Sequence, residues 1–198
     1  MNFTGRNLLS MADMSDDEIV GLLHQARNIK MRRETPDLKG KSLGMIFEKP
    51  SLRTRVSFTV AMNQMGGACI ELGKEIGIGS REPFEDVVRV LARYFDALAM
   101  RTYAQDRLDE LAGIVDIPVI NALSDQEHPC QALADVLTIT EHIGHGQDVE
   151  LAYVGDANNV AASLAIAAAS LGMNSRFIFP SGYNMPEWVL SEARARAA

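Results

Sequence analysis

Short apolar runs alternate along the chain with longer segments whose apolar residues recur every three or four positions. The first run is Ser42-Leu43-Gly44-Met45-Ile46-Phe47, and similar runs lie at 68–72, 97–100, 118–120, 150–154 and 176–179. Apolar runs of this length that are bounded by glycine, proline or polar residues are typical of buried strands. The pattern therefore predicts strands that alternate with helices from residue 42 onward.

Helix start signals fit the segments between these runs. Ser15 followed by Glu18 forms a capping-box pattern, and Pro83, Pro129 and Pro186 each suit the first turn of a helix. The sequence predicts one helix that starts near residue 16 and another that starts after residue 186. Between them it predicts helices at about 53–65, 83–94, 105–112, 129–142 and 159–171. Alternation of this kind predicts parallel sheets that are covered by helices on both faces.

The predicted fold class is α/β, with two doubly wound parallel-sheet domains. The turn Gly144-His145-Gly146-Gln147 separates them, so we place one domain at 1–145 and the start of a second at 146–198. The second domain has only two predicted strands, which cannot bury both faces of a sheet. We therefore expect this domain to be incomplete in the chain, either cut short or completed by other chains.

The composition and net charge of the chain limit the kinds of molecule that it is expected to bind. The chain has 198 residues, 47% of them hydrophobic, and a formal net charge of −7, which argues against a general nucleic-acid or acidic-membrane binder. Cys69 and Cys130 have no metal-ligand spacing, and no apolar run approaches membrane-spanning length. The N-terminus lacks a signal-peptide core, so a cytoplasmic location is the simplest expectation.

A dense group of arginine and hydroxyl side chains follows the first predicted strand. Ser51, Arg53, Thr54 and Arg55 lie at the turn from this strand into the next helix. Free backbone N–H groups at a helix start and bidentate guanidinium groups both suit phosphate oxygens. This turn therefore predicts a site for a small phosphorylated or doubly charged anion, and the alternative is that the arginines are solvated surface charges.

Further polar residues lie where ligands bind in open parallel sheets, beyond the carboxyl ends of strands. Arg101-Thr102 follows one predicted strand, and His128-Pro129-Cys130-Gln131 opens the 129–142 helix. A helix N-terminus disfavours the imidazolium, so a neutral His128 can donate a hydrogen bond to a carbonyl oxygen, unless it only caps or packs. Gly155-Asp156-Ala157-Asn158-Asn159 ends another strand, but it lacks the G-x-G-x-x-G spacing of dinucleotide sites.

Taken in order, these segments resemble the ornithine carbamoyltransferases, within the aspartate/ornithine carbamoyltransferase family. The resemblance is carried by Phe47-Glu48-Lys49-Pro50-Ser51-Leu52-Arg53-Thr54-Arg55, Arg101-Thr102, His128-Pro129-Cys130-Gln131-Ala132-Leu133-Ala134-Asp135 and Gly155-Asp156-Ala157-Asn158-Asn159. It implies transfer of the carbamoyl group of carbamoyl phosphate to the side-chain amine of ornithine, which gives citrulline and phosphate in arginine biosynthesis or breakdown. It also implies a homotrimer or a multiple of trimers, and neither a metal nor an organic cofactor.

The resemblance further implies a role for each matching residue. Ser51, Arg53, Thr54 and Arg55 would hold the phosphate, and Arg101, His128 and Gln131 would bind the carbamoyl end. Thr54, Arg101 and His128 would be catalytic, since they would polarise the carbonyl oxygen. Asn159 would contact the α-amino acid part of ornithine.

Two departures from the family pattern leave alternatives open. The family's Asp-x-x-x-Ser-Met-Gly and His-Cys-Leu-Pro segments are not found in the chain, which suggests C-terminal truncation. The loop at 76–83 also lacks the glutamine that reaches a neighbouring subunit in many family members. The chain could therefore use another amine, such as putrescine or acetylated ornithine, or bind carbamoyl phosphate without turnover.

Overall fold

The computed structural model describes residues 3–73 and 82–197. The helices of this part of the chain are α1 (Asp16–Lys30), α2 (Leu52–Gln64), α3 (Phe84–Leu91), α4 (Gln105–Ile114), α5 (Pro129–His142), α6 (Asn159–Ser170) and α7 (Glu187–Arg196). The strands are β1 (Ser42–Phe47), β2 (Ala68–Leu72), β3 (Ala97–Arg101), β4 (Val119–Leu123), β5 (Glu150–Val154) and β6 (Asn174–Ile178). The predicted order of elements and the α/β class are confirmed. The predicted loop at 76–83 falls almost entirely outside the described residues.

Element ends differ from prediction mainly where the chain turns back to the sheet. Helix α3 ends at Leu91, three residues before the predicted end. The backbone N–H groups of Tyr94 and Phe95 still bond to the carbonyl of Leu91, at 2.9 and 3.1 Å, and the next N–H, of Asp96, bonds to Ser42 at 2.9 Å. The helix stops early because this turn must deliver the chain to the start of β3.

The larger sheet has four parallel strands in the order β2-β1-β3-β4. Alternate residues of β1 point to opposite faces, as the strand period requires. Leu43, Met45 and Phe47 pack on one face, against which Phe58 and Met62 of α2 also pack. The other face includes the following buried residues, from the sheet and from α3 and α4: Ile46, Leu98, Met100, Phe84, Val88, Leu108 and Leu111. Both faces of the sheet are thus covered, which is the doubly wound arrangement that the sequence predicts.

The segment before α1 extends the β4 edge of this sheet. Leu8 forms a parallel bridge to Ile120, with its N–H bonded to the carbonyl of Val119 at 2.9 Å. The side chain of Asn7 accepts a hydrogen bond from the N–H of Val119 at 2.8 Å. This short pairing occupies backbone groups at the edge that would otherwise be open.

The smaller sheet of the described chain contains the parallel pair β5-β6. Helix α6 is buried continuously from Ala161 to Ala169, whereas both strands have largely exposed side chains. Tyr153 and Phe177 stack on this sheet with ring centroids 5.7 Å apart. The pair of strands agrees with the incomplete second sheet that the sequence predicts.

The chain divides into two compact units, each of which is discontinuous in sequence. The unit that contains the larger sheet comprises Glu34–Ser124 and the N-terminal segment that ends at Leu9. The unit that contains the smaller sheet comprises Ser10–Arg33, with α1, and the chain from Asp125 onward, with α5 to α7. The predicted domain boundary at 145/146 divides the chain at one point along the sequence, whereas each of these units is made of separate segments. The boundary stays a prediction.

Helix α2 forms where the sequence predicts it, but its apolar stripe is not buried. No residue of α2 is classed as buried, and Leu52, Val56 and Val60 are 78%, 51% and 45% exposed. The periodicity that predicts the helix therefore arises from a face that the described chain leaves open.

Candidate active site

Ser51 and Thr54 build the turn from β1 into α2. Ser51 is the N-cap of α2, and its hydroxyl accepts a hydrogen bond from the N–H of Thr54 at 3.4 Å and donates one to the Thr54 hydroxyl at 2.8 Å. The first turn of α2 contains no acidic residue. The positive end of the helix dipole is therefore not offset by a side chain of that turn, which suits an incoming anion.

Arg53 and Arg101 meet beside this helix start. Phe47 at the end of β1 pairs with Arg101 at the end of β3, and the N–H of Glu48 bonds to the Arg101 carbonyl at 2.9 Å. Burial and the nearby Arg53 guanidinium lower the pKa of Arg101. Nε of Arg101 is buried and has no hydrogen-bond acceptor among the described residues. Two guanidinium groups that repel each other, one with an unused buried donor, form a local positive focus for an anion with more than one charge.

Arg55 lies in the same motif but contacts different groups. One of its terminal nitrogens forms an ion pair with Glu71 at 2.8 Å, and its guanidinium carbon is 5.3 Å from the centre of the Phe47 ring. Its buried Nε has no acceptor within the described part of the chain. The carboxylate of Glu71 and the ring of Phe47 therefore hold the side chain of Arg55 over the end of β1.

Glu48 and Thr102 tie together the ends of β1 and β3, and the sequence predicts no role for Glu48. Thr102 is completely buried, and its hydroxyl donates a hydrogen bond to the Glu48 carboxylate at 2.5 Å. Arg107 approaches the same carboxylate at 3.8 Å and stacks over the Phe84 ring, 3.8 Å from its centre. This link fixes the backbone on either side of Arg101. Its sequence signal is only that Glu48 and Thr102 both follow predicted strands.

His128 and Gln131 lie at the start of α5, in the other unit. His128 is the N-cap residue and Pro129 is the first residue of the helix, as the sequence predicts. The backbone N–H of His128 donates to the Ser163 hydroxyl at 2.9 Å, and the side-chain amide of Gln131 donates to Asp135 at 2.8 Å. The structure thus shows how the backbone of His128 is held and places Gln131 in the first turn of the helix.

A buried carboxylate directly precedes His128. Glu127 is 2% exposed and accepts hydrogen bonds from the Ser10 hydroxyl, from the N–H of Met11 at 3.0 Å and from the Ser163 hydroxyl at 2.8 Å. Burial raises the pKa of Glu127, although these hydrogen bonds act in the opposite direction. Sequence reasoning missed this residue because a glutamate in a polar stretch carries no signal of burial.

The cysteine within the His128–Gln131 segment is not set up as a nucleophile. Cys130 is partly exposed as a residue, but burial around its thiol raises the pKa to about 11. A thiol with this pKa stays protonated at neutral pH, and the thiolate is the reactive form.

Asn158 and Asn159 differ in position although they are adjacent. Asn158 caps α6, since its side-chain oxygen accepts hydrogen bonds from the N–H groups of Val160 and Ala161 at 3.0 and 3.1 Å. Asn159 is the first residue of the helix and is partly exposed. The side chain of Asn158 therefore caps α6, and that of Asn159 does not.

The predicted site residues fall into two groups. Ser51, Arg53, Thr54, Arg55 and Arg101 come together at the carboxyl ends of β1 and β3 in one unit. The other unit contains the predicted residues at the starts of α5 and α6, namely His128, Gln131 and Asn159. Within residues 3–73 and 82–197, no cluster of three or more histidine, cysteine or carboxylate side chains could hold a metal ion, and no helix is long and apolar enough to cross a membrane.

Comparison with known proteins identifies the family of the chain. The family model described as "Aspartate/ornithine carbamoyltransferase, carbamoyl-P binding domain" matches residues 6–141, and the model of the Asp/Orn binding domain matches 147–198. An ornithine carbamoyltransferase of Synechococcus sp. is 48% identical over 195 residues, which are 98% of this chain and 64% of that protein. One from Anoxybacillus flavithermus is 47% identical, over 96% of this chain and 62% of that protein.

Solved structures show the same similarity. The ornithine carbamoyltransferase of Pyrococcus furiosus matches with a TM-score of 0.94 and 43% identity, over 100% of this chain and 64% of that one. That of Gloeobacter violaceus matches with a TM-score of 0.90 and 46% identity, over 98% of this chain and 65% of that one. The chain thus spans somewhat less than two thirds of the length of these relatives. It belongs to the aspartate/ornithine carbamoyltransferase family.

Proposed function

We propose that the chain binds carbamoyl phosphate and takes part in transfer of its carbamoyl group to the side-chain amine of ornithine, which yields citrulline and phosphate. The observation that carries this proposal is the pair of arginines, Arg53 and Arg101, beside the uncompensated N-terminus of α2. The names of the similar proteins support ornithine as the acceptor.

In this proposal the phosphate lies at the start of α2. Ser51 and Thr54 offer hydroxyls and helix N–H groups, and the exposed Arg53 offers a guanidinium that suits bidentate hydrogen bonds. Arg55 completes the set, with its charge shared between the phosphate and Glu71. Cations at this position also stabilise the charge that builds on the phosphate as it leaves.

The carbonyl oxygen of the carbamoyl group takes up negative charge when the amine attacks. We assign Arg101, Thr54 and His128 to this oxygen, and each donor that is fixed in advance is worth roughly 3–4 kcal/mol of transition-state stabilisation. Gln131 binds the carbamoyl end, and Asn159 contacts the α-amino acid part of ornithine. The amine must be uncharged to attack. Its nitrogen bonds to the carbonyl carbon, the C–O bond to the phosphate breaks, and the phosphate leaves with that electron pair and takes up the proton that the nitrogen loses.

Calorimetric titration with carbamoyl phosphate and with inorganic phosphate tests the donor site. We expect both to bind, and carbamoyl phosphate to bind more tightly because His128, Gln131 and Arg101 contact its carbamoyl end. A citrulline assay with ornithine on the same sample then separates binding with turnover from binding alone. Absence of any carbamoyl phosphate binding would contradict the proposal.

We also propose that copies of the chain associate through α2 into a homotrimer or a multiple of trimers. Leu52, Val56 and Val60 form an exposed apolar strip on a helix that buries no residue of its own. Large apolar side chains grouped on one exposed helix face are typical of an interface. The strip adjoins Arg53, so the same association would lie next to the proposed phosphate site.

Aspartate in place of Val56 or Val60 should dissociate the oligomer, because a carboxylate cannot be buried without a partner. Light scattering should give about three times the chain mass of 21.7 kDa, or a multiple of it, for the wild type and a smaller mass for each variant. Val90→Asp is the control, since Val90 is 55% exposed on α3 and lies away from the strip. A monomeric wild type, or an unchanged mass for both α2 variants, would contradict the interface.

A further inference from the structure

Ser10, Met11 and Ser163 each donate a hydrogen bond to the carboxylate of Glu127, and they come from two separate parts of one unit. Ser10 and Met11 lie before α1, whereas Ser163 lies within α6. These hydroxyl and N–H groups all donate to the carboxylate, which fits the ionised form of Glu127. The charge of Asp13 acts on Glu127 at longer range and opposes the ionised form.

Ser163 connects this carboxylate to the proposed catalytic histidine. Its hydroxyl donates to Glu127 at 2.8 Å and accepts from the backbone N–H of His128 at 2.9 Å. The N–H of an N-cap residue has no partner within its own helix, so a side chain from elsewhere determines how it is held. Because the hydroxyl hydrogen is engaged by Glu127, a lone pair of Ser163 is directed at His128.

Holding a loop in place with a buried carboxylate is unfavourable in free energy. Burial disfavours its ionised form, and a neutral or apolar group in the same place generally stabilises a fold at least as well. Helices α5 and α6 also pack against each other, and both bury apolar residues, among them Ala132 and Val136 of α5 and Ala165 of α6. Glu127 therefore contributes a defined geometry next to His128 more than it contributes stability.

We propose that Glu127 is a positioning residue for His128, and that it acts through Ser163 to fix the backbone from which the imidazole reaches the carbamoyl group. This inference rests on the proposed function for the identity of the ligand. The hydrogen-bonded link from Glu127 through Ser163 to His128 does not depend on the proposed function, since it involves only residues of one unit.

Two variants break the link at different points. Glu127→Ala removes the acceptor of three donors, whereas Ser163→Ala leaves Glu127 its contacts with Ser10 and Met11 and removes only the connection to His128. Both should weaken carbamoyl phosphate binding by about 5–20-fold, the equivalent of one hydrogen bond, and leave the affinity for inorganic phosphate unchanged. Should Glu127→Ala fail to fold, Ser163→Ala carries the test alone.

Glu127→Gln is the conservative variant. Its amide oxygen still accepts from Ser163 and Met11, and its NH₂ group can donate to the Ser10 hydroxyl, which also acts as an acceptor. We expect this variant to keep the wild-type ratio of the two affinities. The same loss in Glu127→Gln as in Glu127→Ala would overturn the inference.

Amide hydrogen exchange at His128 gives a readout that needs no ligand. Exchange should be faster in Glu127→Ala and Ser163→Ala than in the wild type and in Glu127→Gln. Lys30→Ala is the matched control, because it breaks an ion pair with Glu141 in the same unit and should leave both the exchange rate and the affinity ratio unchanged.

The outcomes separate the two proposals. Unchanged exchange at His128, or parallel loss of carbamoyl phosphate and phosphate affinity, would overturn the role of Glu127. Faster exchange in a protein that binds no carbamoyl phosphate would uphold the link and overturn the proposed function instead.

Discussion

Alanine in place of Arg53 should lower the affinity for carbamoyl phosphate by about 10–100-fold. A charge-assisted hydrogen bond contributes roughly 1.5–3 kcal/mol, and this substitution removes a guanidinium of the first turn of α2. The side chain of Arg53 is exposed, so the fold should be unaffected. Calorimetric titration measures the affinity, and the thermal midpoint checks the fold.

Arg93→Ala is the control for this change. Arg93 is another exposed arginine of the same unit, and its loss alters the net charge equally. Its removal should leave the affinity near that of the wild type, which separates a local contact from the general field of the protein. Equal losses in Arg53→Ala and Arg93→Ala would contradict a specific phosphate site at α2.

Alanine in place of Leu98 should lower the free energy of unfolding by about 2–5 kcal/mol. Leu98 is fully buried in β3, between the strands that end at Phe47 and Leu123. It packs so closely on β1 that a Cβ atom added at Gly44 would lie 2.7 Å from its Cδ2. A cavity at this position cannot be filled by a small movement of β1, so most of the lost contact energy should appear in urea unfolding.

Val90→Ala is the comparison for Leu98. It also removes aliphatic carbon from the same unit, but Val90 is 55% exposed. Its expected effect is within about 0.5 kcal/mol, as for most surface substitutions. A loss below 1 kcal/mol for Leu98→Ala would mean that the centre of the sheet is less tightly packed than the structure shows.

The elements of this fold can be predicted from the sequence because their signals are local. The capping box at Ser15 and Glu18 is present with both of its hydrogen bonds, and Pro129 opens α5 as expected. Strand β1 is apolar in sequence and lies between β2 and β3 in the larger sheet, so its burial agrees with the prediction from its sequence. Helix ends near turns are less predictable, since tertiary hydrogen bonds such as Asp96 to Ser42 determine where α3 stops.

The candidate site is predictable where its residues share a short motif. Ser51, Arg53 and Thr54 are recognisable together because adjacent residues at a helix start must be close in space. Arg55 shows the limit of this reasoning, because its ion pair with Glu71 depends on the pairing of β1 with β2. Glu127 has no motif at all, and its contacts with Ser10 and Ser163 come from residues 117 and 36 positions away.

The interleaving of the two units has a consequence for how the chain folds during synthesis. Leu8 is made more than a hundred residues before its partner in β4, so the two cannot pair until β4 has been synthesised. Contacts between residues so distant in sequence slow folding, because the intervening chain must be ordered first. Helix α1 likewise emerges early and waits for α5 and α6 of its own unit. The apolar face of α1 therefore stays uncovered until α5 and α6 have been made, and we expect proteolysis of nascent chains to be most frequent before α6 is complete.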